Sequence, residues 1–190
     1  MKNIFHSPFT LFIHSPFIPF TLFIHFILFF PPAAGARTAV PQEQRRMEQR
    51  WVDSVMHTLS PRQRIAQLFM VPVNITGRSQ RQLDEAGRLV EAEQVGGVIV
   101  MKAQPSSYAA AINGLQQRSR VPLLVAIDGE WGVGMRMDSV LSFPRQMMLG
   151  ALPDNSLMEE MGEAVGEQCR RMGIHLNFAP VADVNNNPDN

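Results

Sequence analysis

Four runs, at 68–73, 96–101, 121–127 and 174–181, the first three continuously apolar and the fourth apolar but for His175 and Asn177, alternate with segments of helical periodicity. No other feature limits the fold as tightly. Apolar residues throughout a short run, with no polar alternation, are what a strand buried on both faces requires. The intervening segments read as helices with one apolar side. Leu83, Ala86 and Val90 share a face in the first long one, and Tyr108, Ile112 and Leu115 in the next, over 106–119. In the last, Leu157, Met161, Val165, Gln168 and Met172 mark one side, with Cys169 on or beside it as a small core hydrophobe. That helix opens with the capping-box pattern Ser156-x-x-Glu159 and ends at Gly173. Upstream, Met47, Trp51, Val55 and Leu59 recur at helical spacing, and Ser60-Pro61 closes that helix and caps a short one over 61–67. Methionines at 147, 148, 158, 161 and 172 read as core filling.

Strand and helix in alternation give a parallel α/β sheet with right-handed crossovers. A doubly wound nucleotide-binding sheet would place a Gly-rich turn after a strand and before a helix. Here Gly96-Gly97 precedes its strand and nothing fits G-x-G-x-x-G. A (β/α)8 barrel takes about 250 residues, so four β/α units in the space available correspond to its first half. The expected fold is therefore α/β, the first half of a TIM (β/α)8 barrel.

The 17 basic and 17 acidic residues balance, which argues against nucleic acid as a partner. Nine of the twelve phenylalanines fall within residues 1–30, and Lys2 is the only charged residue before Arg37. Lys2, an apolar stretch and a small-x-small Ala34-x-Ala36 follow the layout of a secretory signal. Residues 1–36 are accordingly read as a signal peptide or apolar leader, and 37–190 as the domain, secreted or periplasmic. A membrane anchor over 9–30 is the rival reading, although Pro8, Pro16 and Pro19 each interrupt a spanning helix. The repeat of Pro-Phe-Thr-Leu-Phe-Ile-His at 8–14 and 19–25 is also what translated non-coding sequence could produce.

Chemistry concentrates where the third run ends, in Asp128-Gly129-Glu130-Trp131-Gly132-Val133-Gly134-Met135-Arg136. A carboxylate accepts hydrogen bonds from sugar hydroxyls, an aromatic ring packs on a pyranose face, and an Arg fork donates to hydroxyl or acyl oxygens. Residue types alone leave a second reading open, in which Asp128 caps a turn, Glu130 is a solvated charge and Trp131 fills core. Asp183, after the fourth run, is placed evenly between substrate contact and loop support. Asp183-x-Asn185-x-Asn187 does not complete a calcium loop, because Pro188 stands where a Gly is needed, and no metal is expected. His175, early in the fourth run, is read as structural.

Gln67-Leu68-Phe69-Met70, Gly96-Gly97-Val98-Ile99, the 128–136 loop, Phe143-Pro144, Leu149-Gly150-Ala151 and the run from Asn177 to Asn185 together resemble the N-terminal barrel domain of glycoside hydrolase family three. The D-x-E-x-G loop is most similar to the β-N-acetylhexosaminidase branch, with Glu130-Trp131-Gly132 where many members read E-G-G. The resemblance implies hydrolysis of a terminal β-linked sugar by a retaining double displacement, without a cofactor. It implies that Asp128 grips hydroxyls of the sugar in the −1 subsite and that Arg136 lines it, and it makes Glu130, Trp131 and Asp183 further substrate-binding candidates. The family's nucleophile, in a Ser-Asp motif, and its acid/base, after Lys-His-x-Pro-Gly, are expected beyond Asn190, together with the other half of the barrel. No catalytic residue is assigned within the 190, and the chain alone is expected to be inactive. The alternatives are a non-catalytic sugar-binding fragment and β-glucosidase-type specificity.

Overall fold

The computed structural model describes residues 41–76 and 79–182. The leader, Asp183 and the Asn-rich segment after it lie outside the described residues. The chain divides at Met47/Glu48 into two units. The described part of the first is the opening of helix α1 (Gln42–Thr58). In the second, α1 continues with Trp51 and Val55 half-buried, and Leu59 just after it is buried.

Helix α2 (Pro61–Ala66) starts where Ser60-Pro61 predicts, through a complete capping box. The Ser60 hydroxyl accepts from the Gln63 amide and the Gln63 side chain accepts from the Ser60 amide. Then follow β1 (Met70–Ile75), α3 (Gln80–Glu93), β2 (Gly97–Ala103), α4 (Pro105–Arg118), β3 (Leu124–Ile127), a 3-10 turn (Val133–Met135), α5 (Gln146–Leu149), α6 (Ser156–Arg171) and β4 (Leu176–Asn177). The four strands form one parallel sheet in the order β1-β2-β3-β4. Three consecutive β/α units and a fourth strand, in sequential parallel order among the described residues, are the arrangement of part of a (β/α)8 barrel.

The expected helix faces turn inward except at their N-terminal ends, where Met47 and Leu157 are exposed. Ala86 and Val90 of α3, Tyr108, Ile112 and Leu115 of α4, and Cys169 of α6 join one core with Val73, Val98, Val100, Val125 and Ile127 of the sheet. Gly96 sits where chains meet closely. A Cβ there would lie 2.0 Å from the Gln67 carbonyl oxygen, and its amide is directed at the Ala66 and Phe69 carbonyls. Gln94, in the left-handed region at φ 58°, ends α3 fully buried yet satisfied: its side chain donates to the Val90 and Glu91 carbonyls and accepts from the Arg120 amide.

Three local expectations are corrected. The capping box at Ser156 does not form. Asn155 is the N-cap, and the Asp154 carboxylate takes both the amide and the hydroxyl of Ser156. An anionic acceptor beside a helix N-terminus outcompetes a neutral one, and these bonds hold the Asp154 carboxyl below its ordinary range. Met147 and Met148 do not fill core, since they lie on the short α5 of the rim loop, 86% and 65% exposed. Finally, β1 starts two residues later than its apolar run, leaving Leu68 and Phe69 exposed, and β4 keeps only two residues.

Candidate sugar-binding site

The sheet delivers Asp128 immediately after β3, at the C-terminal end of the strands, where barrel enzymes build their sites. The chain then turns through the 3-10 segment and returns to β2, where the Ala103 amide donates to the Arg136 carbonyl (2.9 Å) and Met137 bridges to Ala103. This return brings Arg136 back onto Asp128. Arg136 Nη2 donates to Asp128 Oδ2 (2.5 Å) and Nε to the Asp128 carbonyl oxygen (2.9 Å). The side chains are 21% and 31% exposed, so the pair is open to a ligand from one side. A partly exposed pair of this kind contributes about 0–1 kcal/mol to stability. Its consequence is orientation. Asp128 Oδ1 and Arg136 Nη1 enter no hydrogen bond among the described residues, which leaves one acceptor and one donor on the pair.

Amide side chains brace the loop from three directions. Gln168 of α6 accepts from the Val133 amide (3.0 Å) and donates to the Leu141 carbonyl (2.9 Å). Gln146 donates to the Glu130 carbonyl (3.0 Å). Asn177 of β4 accepts from the Gly129 amide (2.9 Å) and donates to the Gly129 carbonyl (3.2 Å). Gly132, at φ +89°, passes over Gln168 and Phe143, where a Cβ would lie 2.8 Å and 2.9 Å from their atoms. A side chain at this position would meet both steric crowding and backbone strain.

Of the residues named from sequence, Asp128 and Arg136 are brought together. Glu130 contributes its backbone, whose amide donates to the Met135 sulfur, and its half-buried carboxylate forms no ion pair among the described residues. Trp131 is half-buried in the same loop, with the exposed Arg145 guanidinium 4.8 Å from its ring centroid. Asp183 lies outside the described residues. His175 is structural: its Nδ1 accepts from the Val125 amide (3.0 Å), and its own amide donates to the Val125 carbonyl (2.8 Å). Sequence reasoning assigned no role to Asn177, Gln146 or Gln168. A signal existed for Gln168, a polar residue on an otherwise apolar helix side, and for Asn177, an amide at a strand end.

The model of the glycosyl hydrolase family 3 N terminal domain matches residues 60–190. The chain belongs to this family. It is 32% identical over 119 residues to beta-hexosaminidase A of Pseudoalteromonas piscicida, a match covering 56% of this chain and 20% of the relative. It is 26% identical over 137 residues to the beta-N-acetylglucosaminidase/beta-glucosidase of Cellulomonas fimi, covering 72% of this chain and 23% of the relative. Among solved structures, the family 3 beta-N-acetylglucosaminidase of Paenibacillus sp. str. FPU-7 aligns with a TM-score of 0.58 at 36% identity, over 70% of this chain and 26% of that one. The chain thus spans about a fifth to a quarter of the length of these proteins.

Proposed function

We propose that this domain binds the terminal sugar of a β-linked glycoside for retaining hydrolysis, with N-acetylglucosamine as the preferred residue. One observation carries the reading: the Asp128–Arg136 pair is locked at two points and part-exposed at the C-terminal end of β3, with Asp128 Oδ1 and Arg136 Nη1 unused among the described residues. Sugar hydroxyls donate to the first and accept from the second, a match a rigid fork favours. Trp131 supplies an aromatic face close behind in the loop, and Glu130 a second acceptor. The names beta-hexosaminidase A and beta-N-acetylglucosaminidase of two similar proteins support the N-acetylglucosamine preference, and the Cellulomonas fimi relative is named for both sugars.

In a retaining double displacement, two catalytic groups about 5 Å apart act on the anomeric carbon and the leaving oxygen. The family's motifs for them, Ser-Asp and Lys-His-x-Pro-Gly, do not occur among the 190 residues. The 190-residue polypeptide therefore binds sugar without turning it over. The apolar leader directs the domain out of the cytoplasm, a reading supported by its layout of Lys2, apolar stretch and Ala34-x-Ala36.

The test is titration of the chain with N-acetylglucosamine and glucose, followed by NMR. N-acetylglucosamine shifts the Asp128–Arg136 resonances at lower concentration than glucose does, and Asp128→Ala removes the response. Equal response in Asp128→Ala would reject the site. Hydrolysis of an aryl β-N-acetylglucosaminide by the 190-residue chain would reject the division between binding and chemistry.

A further inference from the structure

The Asp128–Gly129 peptide is held at both of its polar ends by side chains from different parts of the fold. Its carbonyl oxygen accepts from Arg136 Nε at 2.9 Å, and its amide donates to Asn177 Oδ1 at 2.9 Å. The next peptide is held as well, since the Gly129 carbonyl accepts from Asn177 Nδ2 at 3.2 Å. We infer that Asn177 is a positioning residue for Asp128: by pinning the Gly129 backbone from β4, it fixes the carboxylate and, through the shared peptide, Arg136. This inference rests on the reading of Asp128 as a sugar ligand.

Regular pairing of β3 with β4 ends at Ile127 opposite Asn177, where the Phe178 amide donates to the Ile127 carbonyl at 2.8 Å. Beyond that point the two chains separate. The Asn177 carboxamide offers one donor and one acceptor to a single residue, as a neighbouring strand would, and so extends the ladder by a side chain where the backbones have parted. Gly129 is buried, so without that carboxamide its amide lacks a partner, while its carbonyl keeps the bond from the Gly132 amide at 3.0 Å. A Cβ on Gly129 would lie 3.1 Å from the Gly132 carbonyl oxygen, so the turn is already closely packed. No other side chain contacts the Gly129 amide or carbonyl by a hydrogen bond among the described residues. Loss of Asn177 leaves the Asp128–Gly129 peptide held at its carbonyl by Arg136 alone, with its buried amide unpaired and only the Gly132 amide closing the turn behind it.

Two readouts on the full 190-residue chain test this, with Val90→Ala as control. Val90 is fully buried in α3, in the helix-covered core rather than in the loop, and its truncation lowers the melting temperature without touching the loop. The first readout needs no sugar: hydrogen exchange at Arg136 Nε–H by NMR. Protection falls by about tenfold or more in Asn177→Ala and is retained in Val90→Ala, each measured well below its own melting temperature. The second is N-acetylglucosamine affinity, which falls by about tenfold or more in Asn177→Ala, because small misplacements of a binding group are amplified this way. Val90→Ala binds as wild type. Unchanged Arg136 protection in Asn177→Ala overturns the inference whether or not sugar binds. So does a loss of affinity in Val90→Ala matching its loss of thermal stability. If the wild-type chain binds no sugar while Arg136 protection still depends on Asn177, the positioning stands and the sugar-binding reading fails.

Discussion

Gln168 is the point at which α6 grips the site loop, and its removal gives a calculable loss. Its Oε1 accepts from Val133, a residue with no exposed surface, and its Nε2 donates to Leu141, which is 69% exposed. Gln168→Met keeps the length and most of the volume of the side chain while deleting both polar groups. The Leu141 carbonyl finds water at little cost. The Val133 amide does not, and an orphaned buried donor costs about 1–3 kcal/mol. Gln168→Glu keeps an acceptor for Val133 and gives up only the solvent-compensated bond. It therefore stays within about 1 kcal/mol of wild type, the residual being the adverse charge near the α6 C-terminus. Urea unfolding followed by circular dichroism measures both variants at pH 7. The expected order is wild type, then Gln168→Glu close below, then Gln168→Met lower by about 1–3 kcal/mol. Equal stabilities for the two variants, or a Gln168→Met within about 0.5 kcal/mol of wild type, the range of a neutral surface change, would refute the role of the Val133 bond.

The Tyr108 hydroxyl is buried among the core side chains without a hydrogen-bond partner among the described residues, and burial pushes its pKa upward. Tyr108→Phe removes that orphan and raises the unfolding free energy by about 1 kcal/mol, measured by the same denaturant titration; a loss instead would reveal a partner for the hydroxyl. Burial likewise raises the Cys169 thiol above its ordinary value. The folded state therefore keeps a proton that the unfolded chain releases above about pH 8.5, so this group's contribution to stability is intact below that pH and falls as pH rises through the window. Unfolding titrations from pH 7 to 9.5 show the decline, and it is shallower in Cys169→Ala; native Cys169 also resists thiol reagents at pH 8 until denaturant is added, since thiolate is the reactive form.

The sheet and the inward helix faces were legible because burial is written in the sequence as periodicity. Leu83, Ala86 and Val90, and Tyr108, Ile112 and Leu115, turn inward as their spacing predicts. Strand ends were less legible. Apolarity reports burial but not where a hydrogen-bond ladder begins, so Leu68 and Phe69 extend the run at 68–73 without belonging to β1. At the other end, β4 keeps only Leu176 and Asn177, and past it the Asn177 side chain, not the backbone, reaches Gly129. For the site, residue types indicated Asp128 and Arg136, but no spacing rule shows that Arg136 spends one donor on the backbone carbonyl of Asp128 itself. The amides that brace the loop come from 16 to 48 residues away along the chain, and only folding reveals which peptide each one serves.

The two faces of the sheet explain why the site stands where it does. Val73, Val98, Val100, Val125 and Ile127 meet the helices and are buried. Their neighbours on the opposite face, Pro72, Ile99, Leu124 and Leu176, are also apolar, yet they stay partly or fully exposed among the described residues. Strands apolar on both faces are built to be covered twice. In a (β/α)8 barrel the second cover is the barrel's own interior, packed in layers by side chains from alternate strands. That arrangement directs all strand ends toward one rim, and here the rim holds Asp128 after β3, Arg136 returned to β2, and Asn177 on β4. The residues that make the exposed face and those that make the candidate site thus follow from one fact: parallel order, which calls for cover on both faces of a strand and gathers the polar residues after it.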